Sequence, residues 1–394
     1  MDTVLWVVLI AWIAIAIFNT VTAWRYASGL PFDEVPQTTP PVAVIVAVKG
    51  ASEVSRTFFA RLRNQTYPNY RIIAAVESKE DPAFAMIMEE SKRPGPHLRV
   101  IIAGESQRTG QKVWNLLAAL DAIETRDELV AFTDADTLPQ PDWLSKLVAS
   151  LINPGRDAVT GYRWIIPADD GLSSAVVAAA NASIVTLPRL PSLINHCWGG
   201  TMAMRRKTLE QIAIRRYWSG AISDDAQMTR ACKDAQIPVF SPRQGLLLSP
   251  VAMSWSEALS FGRRQYRIIW LHDPRLWVFA AVGTIIPTAA AIIALGMAVQ
   301  GSASAVFLLA VSICLGEVRF RCRRRIVTAL WGERTALRLA KYWRVERWLR
   351  PVWLSFHALC VLSALGSRRI RWAGIDYVVR GPQDVDVGRP PLVK

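Results

Sequence analysis

The sequence predicts an α/β catalytic domain of the doubly wound class, joined to transmembrane and interfacial helices. Three observations predict this. Between residues 42 and 136, β-branched apolar runs alternate with helical stretches at short intervals, as successive strand–helix units do. Apolar segments long enough to cross a bilayer lie near the start and in the second half of the chain. Finally, 52% of the 394 residues are hydrophobic while 20% are still charged, which suits a polar domain with apolar flanks and excludes a pure membrane bundle.

Residues 1–25 form the first element. Val4–Trp24 is almost wholly apolar, with Asn19, Thr20 and Thr22 as weak polar breaks, and reads as a transmembrane anchor. A cleaved signal peptide fits less well, because Asp2 stands where a basic start is expected and no small-residue cleavage site comes after it. Arg25, directly after the segment, puts the next part of the chain in the cytosol. Residues 26–41 read as a linker, with a Pro-rich stretch from Pro31 to Pro41.

The catalytic domain is expected over residues 42–270. Val42–Val48, Arg71–Val76, Leu98–Ile102 and Leu129–Phe132 read as strands buried on both faces, hence parallel. Ser55–Gln65, Gln111–Ile123, Pro141–Leu151 and Ala226–Ala235 read as helices. Ligands of such sheets bind at the carboxyl ends of the strands, which singles out Lys49, Glu77 and the pair Asp134 and Asp136.

Residues 271–318 read as a transmembrane hairpin, Leu276–Val299 and Ala303–Leu315, whose outer flanks are both basic and therefore share the cytosolic side. Residues 319–350 hold eleven Lys/Arg and two Glu, interleaved with Trp331, Trp343 and Trp348. That is the composition of interfacial helices facing anionic lipid headgroups. Nucleic acid is the other partner such charge could take; the apolar flanks argue for the membrane and against nucleic acid. Residues 351–366 carry a 14-residue apolar stretch, Val352–Leu365, short for a span and read as re-entrant or interfacial. Residues 367–394 are left as a cytosolic tail. The whole is expected to be a multi-pass membrane protein with a cytosolic catalytic domain. Five scattered cysteines without CxxC spacing indicate neither a disulfide framework nor a zinc site.

Asp134-Ala-Asp136 at a strand end offers hard carboxylate ligands for Mg²⁺ or Mn²⁺, provided that a turn brings both to one side. Helix capping by Asp136 is the alternative use. Asp224-Asp225 precedes a helix and can either cap it or supply a general base. Arg263, Arg264 and Arg267 match phosphate oxygens, or serve as a juxtamembrane basic flank. Gly199-Gly200 permits close backbone approach to a ligand, or an ordinary turn.

Taken together, these signals resemble a known family. The chain carries Val48-Lys-Gly50, Asn64-Gln-Thr-Tyr-Pro-Asn-Tyr70, Glu80-Asp-Pro-Ala83, Lys112-Val-Trp-Asn115, Phe132-Thr-Asp-Ala-Asp136, Cys197-Trp-Gly-Gly-Thr201, Ser223-Asp-Asp225 and Arg263-Arg-Gln-Tyr-Arg267 in that order. Their order resembles processive-type family 2 glycosyltransferases and, more closely, the ceramide glucosyltransferases of family 21 with their bacterial relatives, the hopanoid-pathway enzymes among them. The tail Ile370–Tyr377 is similar as well. The resemblance implies a GT-A-like fold, a UDP-sugar donor, a divalent metal (Mg²⁺ or Mn²⁺), inversion at the anomeric carbon and a lipid acceptor. By position, Asp134 and Asp136 would serve metal and diphosphate, Asp225 would be the catalytic base, and Asp224 its neighbour. Lys49, Glu77, Ser78, Lys112, Arg264 and Arg267 would line the donor, and Cys197, Trp198, Gly199 and Gly200 the acceptor side. The chain departs from the family pattern at two points. Ser78 stands where the family has its first aspartate, leaving Glu77 to meet the uracil, and Arg267 is followed by Ile268, with the nearest tryptophan at Trp270. A processive polysaccharide synthase would need more transmembrane helices, and a non-catalytic scaffold would have lost the acidic positions.

Overall fold

The computed structural model describes residues 2–30, 35–187 and 195–388. Residues 31–34 of the expected linker and 389–394 of the expected tail lie outside the described residues. In chain order the elements are α1 (Asp2–Ser28), β1 (Val42–Ala47), α2 (Glu53–Leu62), β2 (Tyr70–Val76), α3 (Pro82–Ser91), β3 (Leu98–Ile102), α4 (Gln111–Leu120), β4 (Leu129–Thr133) and α5 (Trp143–Ile152). Next come β5 (Ala158–Thr160), β6 (Tyr162–Pro167), α6 (Leu172–Val185), β7 (Thr201–Arg205), α7 (Arg206–Gln211), α8 (Ile214–Trp218), α9 (Asp224–Asp234), β8 (Val239–Phe240) and β9 (Leu246–Val251). The last third holds α10 (Trp255–His272), α11 (Pro274–Val299), α12 (Ala303–Trp331), α13 (Glu333–Arg338), α14 (Ala340–Trp348) and α15 (Arg350–Leu362), then β10 (Arg369–Trp372), β11 (Ile375–Gly381) and β12 (Asp384–Gly388). The chain forms two compact units: residues 33–163, 189–250 and 368–394 in one, and residues 1–32, 164–188 and 251–367 in the other.

The first unit, which carries the strands expected of the catalytic domain, is built on a seven-stranded sheet in the order β3-β2-β1-β4-β7-β5-β8. Strands β3, β2, β1 and β4 run parallel, and β7 is antiparallel to β4 and β5. The β-branched run of β1 explains why the sheet is covered on both sides. Val42, Val44 and Val46 pack with Phe58 and Phe59 of α2, Ile87 of α3 and Leu144 of α5. Ala43 and Ile45 pack with Val113 and Leu116 of α4 and Met228 of α9 on the opposite face. Side chains two apart along a strand share a face, so a run that is apolar at every position needs helices above and below. Local signals set the helix starts. Ser52 and Ser55 form a reciprocal capping box at α2, and Asp81 caps α3, with Pro82 fixing the first turn. Residues 368–388, expected to be a tail, contribute an antiparallel meander, β10-β11-β12, to this unit.

The second, membrane unit contains the three helices long and apolar enough to cross a membrane among the described residues: 3–28, 274–299 and 303–331. Only 22–28% of their apolar windows is buried within the protein. Val7, Ile10, Phe279, Ile292, Phe307 and Ile313 are therefore exposed, which hydrocarbon tolerates and water does not. Leu9 and Trp12 of α1 meet Ala290 and Ala294 of α11, small residues that allow close helix approach. Two details differ from expectation. α12 does not end near residue 318 but runs on through the basic stretch to Trp331, because nothing breaks a helix before Gly332, whose φ of +83° does. Gly332 and the break at Leu339 also divide the expected interfacial helix into the short α13 and α14. α15 has 13 residues, about 20 Å of helix at 1.5 Å per residue, short of a hydrocarbon core.

Candidate active site

The charged cluster of the catalytic unit forms where β4 ends. After Thr133 the chain turns: the Thr137 hydroxyl donates to the Asp134 carbonyl (2.8 Å) and the Thr137 N–H reaches the same oxygen (3.3 Å). The turn swings Asp136 onto the side of Asp134. Both carboxylates then meet one guanidinium, with Arg163 Nη2 at 3.5 Å from Asp134 Oδ2 and Nη1 at 3.4 Å from Asp136 Oδ2. Arg163 also lies over the Trp198 ring at 4.9 Å.

Lys112, the second residue of α4, joins this pair to α9. Its Nζ lies 2.8 Å from Asp134 Oδ1 and 3.1 Å from Asp224 Oδ2. α9 starts at Ser223, whose hydroxyl accepts from the Ala226 N–H (3.2 Å) and donates to Asp225. Asp225 Oδ1 also accepts from the Ala226 N–H (2.8 Å), so both acidic residues sit at the positive end of the helix, where carboxylates are favoured. Trp218 Nε1 donates to the Asp224 carbonyl (3.0 Å) and fixes the helix entry. Asp224 is buried, whereas Asp225 is half-buried.

The loop 197–201 closes the cluster. Cys197 N–H donates to Thr229 Oγ1 (2.9 Å) and Trp198 N–H to Thr160 Oγ1 (2.9 Å). Gly199 is glycine for a steric reason: a Cβ there would run into Asp224 Oδ2. Gly200 is constrained likewise by the Trp198 ring.

Burial and charge pull these groups in opposite directions. Burial would push Lys112 down, but Asp134 and Asp224 outweigh it and hold the ammonium above the usual lysine range. Burial would raise Asp134, yet Lys112 and Arg163 keep it below the ordinary carboxylate range. For Asp224 burial wins over Lys112, and with Asp225 and Asp134 nearby its carboxyl is pushed up to about 6. The Cys197 thiol is pushed well up by its hydrogen bond to Cys232 and by burial.

The remaining expected residues fall in two places. Lys49 and Glu77 pair at 2.9 Å beyond the carboxyl ends of the adjacent strands β1 and β2. Ser78 Oγ accepts from the Glu80 N–H (3.2 Å) in the turn after β2. Arg264 and Arg267 lie on α10, in the membrane unit, where Arg267 Nη2 donates to the Ser363 carbonyl (3.2 Å). Sequence reasoning missed Arg163. It is a lone arginine on the otherwise uncharged β6, and nothing local to it points to Asp134 or Asp136.

The parallel-dominated sheet with helices on both faces is a GT-A-like fold. The sequence profile of glycosyl transferase family 21 matches residues 4–384, and the chain belongs to that family, which includes ceramide glucosyltransferase. Among solved structures it is similar to the mannosyltransferase PcManGT from Pyrobaculum calidifontis, in complex with GDP-Man and Mn²⁺, at 20% identity over 84% of this chain and 99% of that one, with a TM-score of 0.51. Glucosyl-3-phosphoglycerate synthase from Mycobacterium tuberculosis, in complex with Mn²⁺ and UDP-glucose, matches at 12% identity over 64% of this chain and 82% of that one, with a TM-score of 0.37. The protein is a glycosyltransferase.

Proposed function

We propose that this enzyme transfers a sugar from a UDP-sugar, with inversion, to a hydroxyl of a ceramide- or hopanoid-like membrane lipid at the cytosolic leaflet. The observation that carries the reading is the convergence of Asp134, Asp136, Asp224 and Asp225 around Lys112 and Arg163 at the strand ends. Four carboxylates face two cations. Asp134 and Asp136 address a single guanidinium, hence one cation-sized position, and their oxygens suit Mg²⁺ or Mn²⁺. Among the described residues no group of three or more His, Cys, Asp or Glu could hold a metal, so the substrate diphosphate and water would complete the shell. Asp134 and Asp136 would hold such an ion, which would supply positive charge against the departing diphosphate.

The protein's own residues do the rest. Lys112 and Arg163 supply further positive charge to the diphosphate side. The acceptor oxygen bonds the anomeric carbon as the bond from that carbon to the UDP oxygen breaks, and the hydroxyl proton passes to Asp225. Asp225 is the better base of the pair because it is half-buried, whereas Asp224 is held inside by Lys112 and Gly199. Asp224 thus positions Lys112. Glu77, oriented by Lys49, accepts the uracil N–H, with Ser78 beside it, and Cys197–Gly200 face the acceptor. The three long apolar helices on the same chain support a membrane-resident acceptor, and basic residues at Arg25, Arg275 and Arg319–Arg325 support a cytosolic active site.

The reading is tested on the full chain in lipid nanodiscs. Asp225→Asn should cut transfer by about 10²–10⁴-fold while calorimetric UDP-sugar binding is retained. Transfer above about a tenth of the wild-type rate would remove Asp225 as the base. A donor-by-acceptor screen read by mass spectrometry should give a glycosylated lipid; equal rates with a water-soluble alcohol would overturn the lipid assignment.

A further inference from the structure

The transfer reaction makes no direct use of the C-terminal meander, yet the meander meets both helices that carry the charged cluster. Tyr377, on β11, accepts a hydrogen bond at its phenol oxygen from the backbone N–H of Gln111 (3.2 Å), the residue that starts α4 and precedes Lys112. A helix start leaves such N–H groups without intrahelical partners. The cap residue Gly110 has no side chain to offer, and none would fit: a Cβ there would lie 3.0 Å from the Cα and carbonyl oxygen of Ile222. A residue 266 positions away therefore supplies the cap.

The turn between β11 and β12 holds α9 in a similar way. Gln227, two residues past Asp225, donates from its side-chain amide to the Pro382 carbonyl (2.7 Å). Gln383 Nε2 donates to the Ser219 carbonyl (3.2 Å) in the segment leading into α9. Gly220, at φ +75°, makes room for this contact, since a Cβ would collide with the Gln383 carbonyl. The same segment is tied to the start of α4, with Gly220 N–H donating to Thr109 Oγ1 (3.0 Å) and Gly110 N–H to the Ala221 carbonyl (2.8 Å).

We infer that the C-terminal meander is a clasp that sets the spacing between Lys112 on α4 and Asp224–Asp225 on α9, with Tyr377 and Gln383 as positioning residues of the transferase site. Lys112 spans Asp134 and Asp224 with little slack, and a shift of α9 by one ångström would break the second contact and re-aim Asp225. Tyr377 acts through the start of α4, and Gln383 through the carbonyls of Arg216 and Ser219 in the segment that leads into α9; neither is assigned a contact with substrate. The inference rests on the reading of Asp225 as the base.

Full-length Tyr377→Phe, Gln383→Ala and the double variant are compared in nanodiscs, with rates referred to donor-binding sites counted by calorimetry. The double variant should lose about 10–100-fold in kcat with donor KM changed less than about twofold, because small misplacements of reacting groups cost rate rather than donor affinity. Asp376→Ala, on the exposed face of the same strand, should keep the wild-type kcat. Wild-type kcat per binding site in the double variant overturns the clasp, even if its thermal midpoint falls. If the double variant does not fold, Tyr377→Phe alone decides, since it removes a single oxygen. Asp225→Asn runs in parallel. Should that variant stay active, the base assignment fails; should it be inactive while the clasp variants run at full rate, only the clasp fails.

Discussion

Around Lys112 and Arg163 in the catalytic unit, two cations face four carboxylates, whereas in the membrane unit, of the two buried arginines Arg319 and Arg323, Arg323 pairs with the buried carboxylate of Glu346 and Arg319 is bonded to neutral oxygens. The surplus is negative in one place and positive in the other. In the membrane unit it is met by dipoles. Arg323 Nη1 pairs with Glu346 Oε1 at 2.6 Å, while Arg319 Nη1 donates to the Ala16 carbonyl (2.8 Å) and Thr20 Oγ1 (2.7 Å). In the catalytic unit Asp136, which meets Arg163 Nη1 at 3.4 Å, stays exposed to solvent. A buried charge without a partner is costly, so surplus that is tied down is structural and surplus left open is available to a ligand. By that criterion the open surplus supports the cation proposed at Asp134 and Asp136, and the tied surplus of the membrane unit holds helices together.

The largest expected effect tests the open surplus. Exhaustive chelation should lower transfer by about 10²-fold or more, and Mn²⁺ or Mg²⁺ should restore it, because metal stabilisation of a departing diphosphate amounts to several kcal/mol. Full activity in excess EDTA would mean that Lys112 and Arg163 neutralise the diphosphate alone. The tied surplus comes next. Glu346→Gln leaves Arg323 buried without its carboxylate and should destabilise the protein by about 3–5 kcal/mol, read as a lower thermal midpoint in nanodiscs, with kcat per folded enzyme unchanged. An unchanged midpoint would dissolve the contrast between the clusters.

Gly199→Ala acts on the catalytic cluster without altering its charge. The added methyl occupies the place of Asp224 Oδ2, so kcat should fall by about 10–100-fold through displacement of the Lys112 link, with a small effect on stability. The smallest effect belongs to a half-exposed pair of nearly the same length as Arg323–Glu346. Lys146 and Asp142 lie 2.7 Å apart, one turn along the start of α5. Lys146→Ala should change stability by less than about 0.5 kcal/mol in a denaturation series, because solvent screens such pairs. A larger loss would show that distance, not burial, sets the energy here.

Much of this architecture is legible along the chain. The apolar runs of β1, β2 and β4 and the apolar helices α1, α11 and α12 are local patterns, and burial on both faces or in lipid is their direct consequence. The turn that brings Asp134 and Asp136 together is legible from the residue types, and the acidic start of α9 from its position before a helical stretch. Arg163 is not, because its role depends on β6 leading it from outside the Asp134–Asp136 segment onto both carboxylates, a contact spanning 27 and 29 residues. The same reason hides the meander. Residues 368–388 look like a tail, and a domain ending near residue 270 looks complete, since nothing local in Tyr377 or Gln383 points to α4 or α9. The sequence by itself determined which segments are strands, which helices suit a bilayer, and which acidic residues end up at strand and helix ends, because propensity and hydrophobic period act over neighbouring residues. Only the tertiary structure decided which cations face those acids and that the chain, after its membrane helices, returns to cap α4 and grip α9, because ion pairs and hydrogen bonds between residues on separate elements leave no periodic trace in the chain.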